Sequence, residues 1–129
     1  MPSFTLHEPA DQLTDRTINV HRAIVSLMEE LEAIDWYNQR AEACTDAQLQ
    51  AVIEHNRDEE IEHACMALEW IRRNVAKFDE ALKLYLFSSG DITAIEESEK
   101  ERETQEPAEQ SAKPEQGGRR VTVGEMKGK

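Results

Sequence analysis

The stretch RDEEIEHACMALEW, residues 57–70, interrupts an apolar helical stripe with charged side chains. The stripe recurs at spacings of four and three residues, which places its members on one face of a helix. Its members are Leu49, Ile53, Asn56, Glu60, His63, Ala67 and Trp70. An ionised carboxylate in an apolar seam is costly unless a positive partner neutralises it. We therefore predict that a cation binds at Glu60 and His63.

Glu60 and His63 form a Glu-x-x-His unit, which carboxylate-bridged di-metal helix bundles use to hold their ions. Short Glu/His patterns also recur by chance in acidic helices, so the position on the stripe is what favours a metal. A complete site of this kind needs two such units and two further carboxylates. The other histidines have no glutamate three residues upstream, and they are His7, His21 and His55. One chain therefore supplies half a site, which two chains related by a two-fold axis would complete.

The missing carboxylate is expected from the first predicted helix, where residues 28–37, MEELEAIDWY, are rich in acidic side chains. Glu30 lies three residues after Leu27 and seven before Tyr37, so it shares a face with residues beside the apolar seam. We predict Glu30 as the third ligand. Tyr37 is expected either to hydrogen-bond a ligand carboxylate or to be an ordinary core tyrosine.

Two further groups of polar residues lie outside this face. Glu29, Glu32 and Trp36 share a neighbouring face, where the carboxylates could attract hydrated Fe²⁺ or could simply be solvated. A second group, on the opposite side of the second helix, could bind an accessory surface ion. Its members are His55, Glu59 and Glu62.

Two long helices account for most of the apolar periodicity. The first is predicted over residues 11–42, and its heptad seam consists of Val20, Ile24, Leu27, Leu31 and Ile34. Thr45 with Gln48 is typical of a capping box, which predicts a second helix over residues 46–73. Joined by a short turn, the two helices form an antiparallel hairpin.

A third, shorter helix is predicted over residues 77–87, and Asp91 offers one more helical start. Because no alternating strand pattern occurs before Val121, the predicted fold class is all-α. Two helices cannot enclose both of their apolar faces alone, so we expect a homodimer that forms a four-helix bundle. The chain then divides into an N-terminal arm at 1–10, a helical domain at 11–96, a disordered acidic linker at 97–120 and a short C-terminal peptide at 121–129.

The composition restricts the partners and the compartment. The chain has 129 residues and a net charge of -12, which disfavours binding to nucleic acid and to anionic membranes. No signal-peptide pattern and no long apolar run occur, so a cytosolic protein is expected. The two cysteines fit a reducing compartment and are assigned no catalytic role.

Three segments resemble the encapsulated ferritins, the ferritin-like cargo of bacterial encapsulin nanocompartments. These are HRAIVSLMEELEAIDWYNQRAEAC at 21–44, HNRDEEIEHACMALEWIRRN at 55–74 and LYLFSSGDITAIEE at 84–97. The resemblance covers residues 7–97. It implies a half-ferritin that pairs across a di-iron ferroxidase centre, assembles as a ring of dimers and delivers ferric iron to an encapsulin compartment in the bacterial cytoplasm for mineral storage.

The resemblance also implies roles for particular residues. Glu30, Glu60 and His63 match the ferroxidase ligands, each contributed twice across the dimer, with iron as the metal and two Fe per dimer. Tyr37 matches the tyrosine beside the iron. Glu29, Glu32 and Trp36 match the metal entrance.

The C-terminal peptide RRVTVGEMKGK resembles the targeting peptide by which cargo docks inside the shell. The docking residues would be Val121, Val123, Gly124 and Met126. Glu125 stands where a small residue is usual, and Met126 replaces the commoner leucine. Docking is still expected because methionine fills apolar pockets readily.

The sequence is also compatible with two other functions. A rubrerythrin-like peroxidase would use the same ligands, but it would normally need a Cys₄ iron site, which two cysteines cannot make. A non-catalytic helical cargo protein would hold a structural metal such as Zn²⁺ between subunits. Aerobic Fe²⁺ oxidation distinguishes these alternatives from a ferroxidase.

Overall fold

The computed structural model describes residues 5–111, and their side chains as far as residue 105. Its elements are a 3₁₀ helix at Ala10–Gln12 and four α-helices, α1 at Asp15–Ala43, α2 at Ala47–Asn74, α3 at Ala76–Tyr85 and α4 at Ile92–Ser111. No strand occurs in this part of the chain. The all-α class is therefore confirmed, whereas assembly into a four-helix bundle by dimerisation stays a prediction.

The two long helices begin at side-chain caps. The Thr14 hydroxyl accepts a hydrogen bond from the backbone N–H of Thr17 at 3.2 Å, and the Asp46 carboxylate accepts one from Leu49 N–H at 2.8 Å. The predicted starts are early in both cases. Residues 10–12 form a separate 3₁₀ turn, and the cap of α2 is Asp46 rather than Thr45, because the aspartate side chain reaches the exposed amides of the first turn.

α1 and α2 form the predicted antiparallel hairpin. Hydrogen bonds link the two helices at three places along the hairpin. Near the turn, Gln50 Nε2 donates to the carbonyl of Ala41 at 2.7 Å. Midway, Arg57 donates to Asn38 Oδ1 at 3.2 Å. At the open end, the Arg16 guanidinium donates to the carbonyl of Asn74 at 2.6 Å, which satisfies one of the free carbonyls at the end of α2.

The side chains that pack between the two helices alternate at spacings of three and four residues. On α1 these half-buried or buried residues are Val20, Ala23, Leu27, Glu30, Ile34, Tyr37 and Ala41. On α2 they are Gln50, Ile53, Arg57, Glu60, Ala64, Ala67 and Ile71. The buried apolar residues of the described chain are Ala41, Ala64 and Ile71, and two of these three are alanines.

The phase of this seam differs from the predicted one. Ile24 and Leu31 were expected inside it, but they are 36% and 54% exposed. On α2, Leu49 and Trp70 are also exposed, at 52% and 39%. These residues lie beside the hairpin seam rather than in it, so the sequence stripe combines a face used within the chain with a face that the single chain leaves uncovered.

α3 is held against the end of α2 by ion pairs. Arg72 pairs with Asp79 of α3 and with Glu69 of its own helix. Lys83 also reaches Asp79, at 2.9 Å. The helix ends at Tyr85 rather than at the predicted residue 87, because Leu86 is already extended and Phe87 has a positive φ of 59°. An α-helix cannot continue through that left-handed conformation.

α4 extends from Ile92 to Ser111, where a disordered linker was expected from residue 97. Asp91 accepts hydrogen bonds from the backbone N–H of Thr93 at 3.0 Å. The Glu96–Lys100 ion pair, at 2.7 Å, spans one helical turn. Caps and pairs of this kind stabilise a helix that is mostly polar beyond Ile95.

The chain divides into two compact units. The first ends at Leu86 and the second begins at Phe87. Among residues 5–111, no helix is long and apolar enough to span a membrane. The predicted domain boundaries at residues 10, 96 and 120 stay predictions, and residues 121–129 lie outside the described part.

Candidate metal centre

Glu30 and Glu60 lie in the middle of the hairpin seam, one on each helix. Their side chains are 27% and 26% exposed, and His63 follows Glu60 by one turn at the edge of the seam, where it is 46% exposed. His63 Nδ1 is 3.4 Å from Glu60 Oε2 and 4.0 Å from Glu30 Oε2. One ligand atom from each of the three residues falls within 4.8 Å of the others. The fold thus brings together the three predicted ligands.

The two carboxylates perturb each other because they share a hydrogen bond in a half-buried seam. The pKa of Glu30 is raised, chiefly by its hydrogen bond with Glu60, then by burial and by the negative charge of Glu60. The pKa of Glu60 is lowered, chiefly by the hydrogen bond from Glu30 and further by the one from His63. The pair therefore favours holding one proton between two oxygens, and a cation at the same place would satisfy both carboxylates.

The donor set fits iron but is incomplete. Carboxylate oxygens and imidazole nitrogen are ligands that Fe²⁺ accepts, and hard carboxylates favour Fe³⁺. Within the described part of the chain, Glu30, Glu60 and His63 are the only group of three acidic, histidine or cysteine residues with this geometry. Three ligands are fewer than a carboxylate-bridged pair of ions requires, so the group has the composition of half a site.

The predicted metal entrance lies outside this group. Glu29 and Glu32 are exposed on α1, and Trp36 is 51% exposed. The Trp36 ring faces Arg40, whose Cζ is 6.0 Å from the ring centroid. These three residues stay predicted entrance residues on an accessible surface.

Tyr37 is half-buried in the seam, seven residues after Glu30 on the same helix face. The ring contact that it makes is with Arg40, whose Cζ is 5.6 Å from the ring centroid. Arg40 was not among the predicted site residues, although its spacing of four residues from Trp36 and three from Tyr37 allows contact with both.

The predicted accessory site is only partly assembled. His55 Nε2 lies 3.6 Å from Glu59 Oε1, and the two side chains are 71% and 51% exposed. Glu62 is exposed one turn further along α2 and does not join them in a three-residue group of the described chain.

The predicted shell-docking residues lie outside the described part of the chain, and they are Val121, Val123, Gly124 and Met126.

A family model described as EncFtn-like matches residues 5–89. The chain belongs to the EncFtn-like family. The resemblance to the encapsulated ferritins is thereby confirmed.

Two curated relatives agree with this family. The chain is 51% identical to an encapsulated ferritin-like protein of Rhodospirillum rubrum over 126 residues, which cover 98% of this chain and 90% of the relative. It is 52% identical to a ferritin-like protein of Thermotoga maritima over 91 residues, covering 70% of this chain and 80% of the relative.

A solved structure has the same helical fold. It is a crystal structure of a protein from Nitrosomonas europaea, with 57% sequence identity and a TM-score of 0.65. The match covers 67% of this chain and 96% of the other one.

Proposed function

We propose that this EncFtn-like protein is a ferroxidase, which oxidises Fe²⁺ to Fe³⁺ with O₂ at a di-iron centre formed between two chains. The proposal rests on the close approach of the side chains of Glu30, Glu60 and His63 in the hairpin seam. The names of the relatives support iron handling and encapsulation, since one is an encapsulated ferritin-like protein and the other a ferritin-like protein.

Each residue of the group has a distinct part in this reaction. Glu30 and Glu60 each offer carboxylate oxygens to Fe²⁺, and their negative charge favours the ferric product over the ferrous substrate. His63 supplies a neutral nitrogen ligand, which limits the total negative charge. Two Fe²⁺ together pass two electrons to one O₂, which takes up two protons from solvent and leaves as H₂O₂. The Fe³⁺ formed then leaves for mineralisation in the lumen of the encapsulin shell.

The second half of the site would come from a second copy of the chain. His63 lies on a stripe of α2 that also carries large exposed apolar residues at spacings of three and four. Leu49 and Val52 are each 52% exposed, and Met66 is 58% exposed. An apolar surface of this kind beside an incomplete ligand set favours burial against another chain. A two-fold axis would then supply the missing carboxylates and the second histidine.

Stopped-flow absorbance of aerobic Fe²⁺ oxidation tests the proposal. The unaltered protein should oxidise Fe²⁺ faster than buffer alone, and Glu60→Gln or His63→Ala should reduce the initial rate by more than about tenfold, because each loses a ligand. Glu42→Gln is the matched control, since Glu42 is exposed near the end of α1. A wild-type rate equal to that of buffer would refute the ferroxidase assignment and leave a structural metal as the alternative.

Encapsulation requires a separate experiment. We expect that deletion of residues 121–129 abolishes co-purification with a co-expressed encapsulin shell protein and leaves the rate of Fe²⁺ oxidation unchanged. Retention of the truncated chain in the shell would show that this segment is not the docking peptide.

A further inference from the structure

The positively charged side chain of Arg40 lies over two aromatic rings, those of Trp36 and Tyr37. Its guanidinium carbon lies 6.0 Å from the centroid of the Trp36 ring and 5.6 Å from that of Tyr37. The chain contains 27 acidic residues, yet in its described part the arginines that form ion pairs are others, namely Arg57, Arg72, Arg73 and Arg102. Arg40 therefore faces two aromatic rings where a carboxylate would be the commoner partner.

These two rings belong to different faces of α1. Tyr37 is half-buried in the hairpin seam, on the face that carries Glu30. Trp36 is 51% exposed on the outer side, four residues after Glu32. Arg40 lies one turn beyond both, and with Trp36 and Gln39 it lines a shallow, open surface pocket. A single guanidinium thus links a ring in the seam with a ring at the surface.

We propose that Arg40 is a positioning residue, whose guanidinium holds the rings of Trp36 and Tyr37 in one arrangement beside the Glu30–Glu60–His63 group. A planar guanidinium attracts the face of an aromatic ring within about 6 Å of its centroid. Because the two rings share one cation, rotation of either ring loses its contact. The exposed Trp36 indole would otherwise be free to change rotamer.

The consequence for the metal centre rests on the proposed ferroxidase function. Tyr37 lies two helical turns from Glu30, so its orientation determines whether its hydroxyl faces the ligands or turns away. Arg40 does not reach the group itself, and it acts through the ring of Tyr37. Loss of the guanidinium should therefore slow the step after Fe²⁺ binding and leave the affinity for Fe²⁺ nearly unchanged.

The ring arrangement can be tested without iron. The chain has two tryptophans, so Trp70→Phe leaves Trp36 as the sole indole, and time-resolved fluorescence anisotropy then reports its local motion. Arg40→Gln should lower the residual anisotropy, Arg40→Lys should restore part of it, and Arg22→Gln on the same helix should have no effect. An unchanged anisotropy in Arg40→Gln overturns the proposal. If Trp70→Phe does not fold, ¹⁹F NMR of 5-fluorotryptophan in the otherwise unaltered chain resolves the two indoles.

A double-mutant cycle tests the link to oxidation. In the unaltered chain, Arg40→Gln should lower kcat for Fe²⁺ oxidation severalfold and change KM by less than about twofold. In a Tyr37→Leu chain, the same substitution should have no further effect. Additive losses would contradict an action through Tyr37. If the wild type does not oxidise Fe²⁺ at all, the proposed function fails, and the anisotropy still decides whether Arg40 positions the rings.

Discussion

Glu30 and Glu60 place two carboxylates in a seam otherwise lined largely by small and aliphatic side chains. The raised pKa of Glu30 means that the folded chain binds this proton more tightly than the unfolded chain does. The contribution of Glu30 to stability is therefore present at low pH and is lost as the pH rises through its folded pKa. Above that pKa the hairpin carries two neighbouring ionised carboxylates, and their repulsion lowers its stability.

Glu30→Gln should accordingly stabilise the metal-free protein. An amide can still donate a hydrogen bond to Glu60, and it removes the repulsion between two ionised carboxylates. We expect the melting temperature at about pH 7 to rise by a few degrees and the gain to diminish toward pH 4, where Glu30 itself becomes protonated. Thermal denaturation followed by circular dichroism measures this, with Glu42→Gln as control. A lower melting temperature at neutral pH would show that the pair is not repulsive.

Residue spacing predicted the members of the candidate site but not all of its surroundings. Glu60 and His63 are adjacent turns of one helix, so their proximity follows from helical geometry. Glu30 could be chosen among four acidic residues because it alone shared a face with Leu27 and Tyr37. The two contacts of Arg40 depend on side-chain rotamers, which spacing permits but does not determine.

At the scale of elements, the junction of α2 and α3 depends on a network of charges. Asp79 of α3 bonds Lys83 at 2.9 Å and also pairs with Arg72. The pKa of Asp79 is lowered, chiefly by the hydrogen bond from Lys83 and then by the one from Arg72. A lowered carboxyl pKa contributes stability above the unfolded pKa, and this contribution is lost as the pH falls through the folded value.

Asp79→Asn should therefore destabilise the protein at neutral pH and have little effect in acid. The amide cannot pair with both cations, so the melting temperature at about pH 7 should fall, and the difference from the wild type should disappear well below pH 4. Glu80→Gln is a suitable control because Glu80 pairs with Lys77 on the exposed side of the same helix. Equal effects of the two substitutions would contradict a special role for the junction.

The helices themselves were predictable, but their ends and the phase of the seam were not. An apolar residue such as Leu31 carries the same sequence signal whether it packs within the hairpin or against a second copy. The start of α4 was predicted at Asp91, but its length was not. The large apolar residues of this helix end at Ile95, and a polar segment without them predicts disorder from burial, whereas local ion pairs such as Glu96–Lys100 stabilise a helix without a core.

At the scale of the molecule, the hairpin buries very little by itself. In the described chain, the core consists of Ala41, Ala64 and Ile71, while Leu31, Met66 and other large apolar residues stay exposed. The incomplete ligand group lies next to this uncovered surface. Both observations agree with the proposal that a second copy of the chain covers the apolar stripe and completes the metal centre.

Native mass spectrometry under anaerobic conditions tests whether the metal centre forms between two chains. If the site is shared, Fe²⁺ should be found on species with an even number of chains, at two ions per pair, and its addition should shift the population away from monomer by mass action. In Glu60→Gln the shift should be absent. A monomer that carries Fe²⁺ as readily as the assembled protein would contradict a centre formed between two chains.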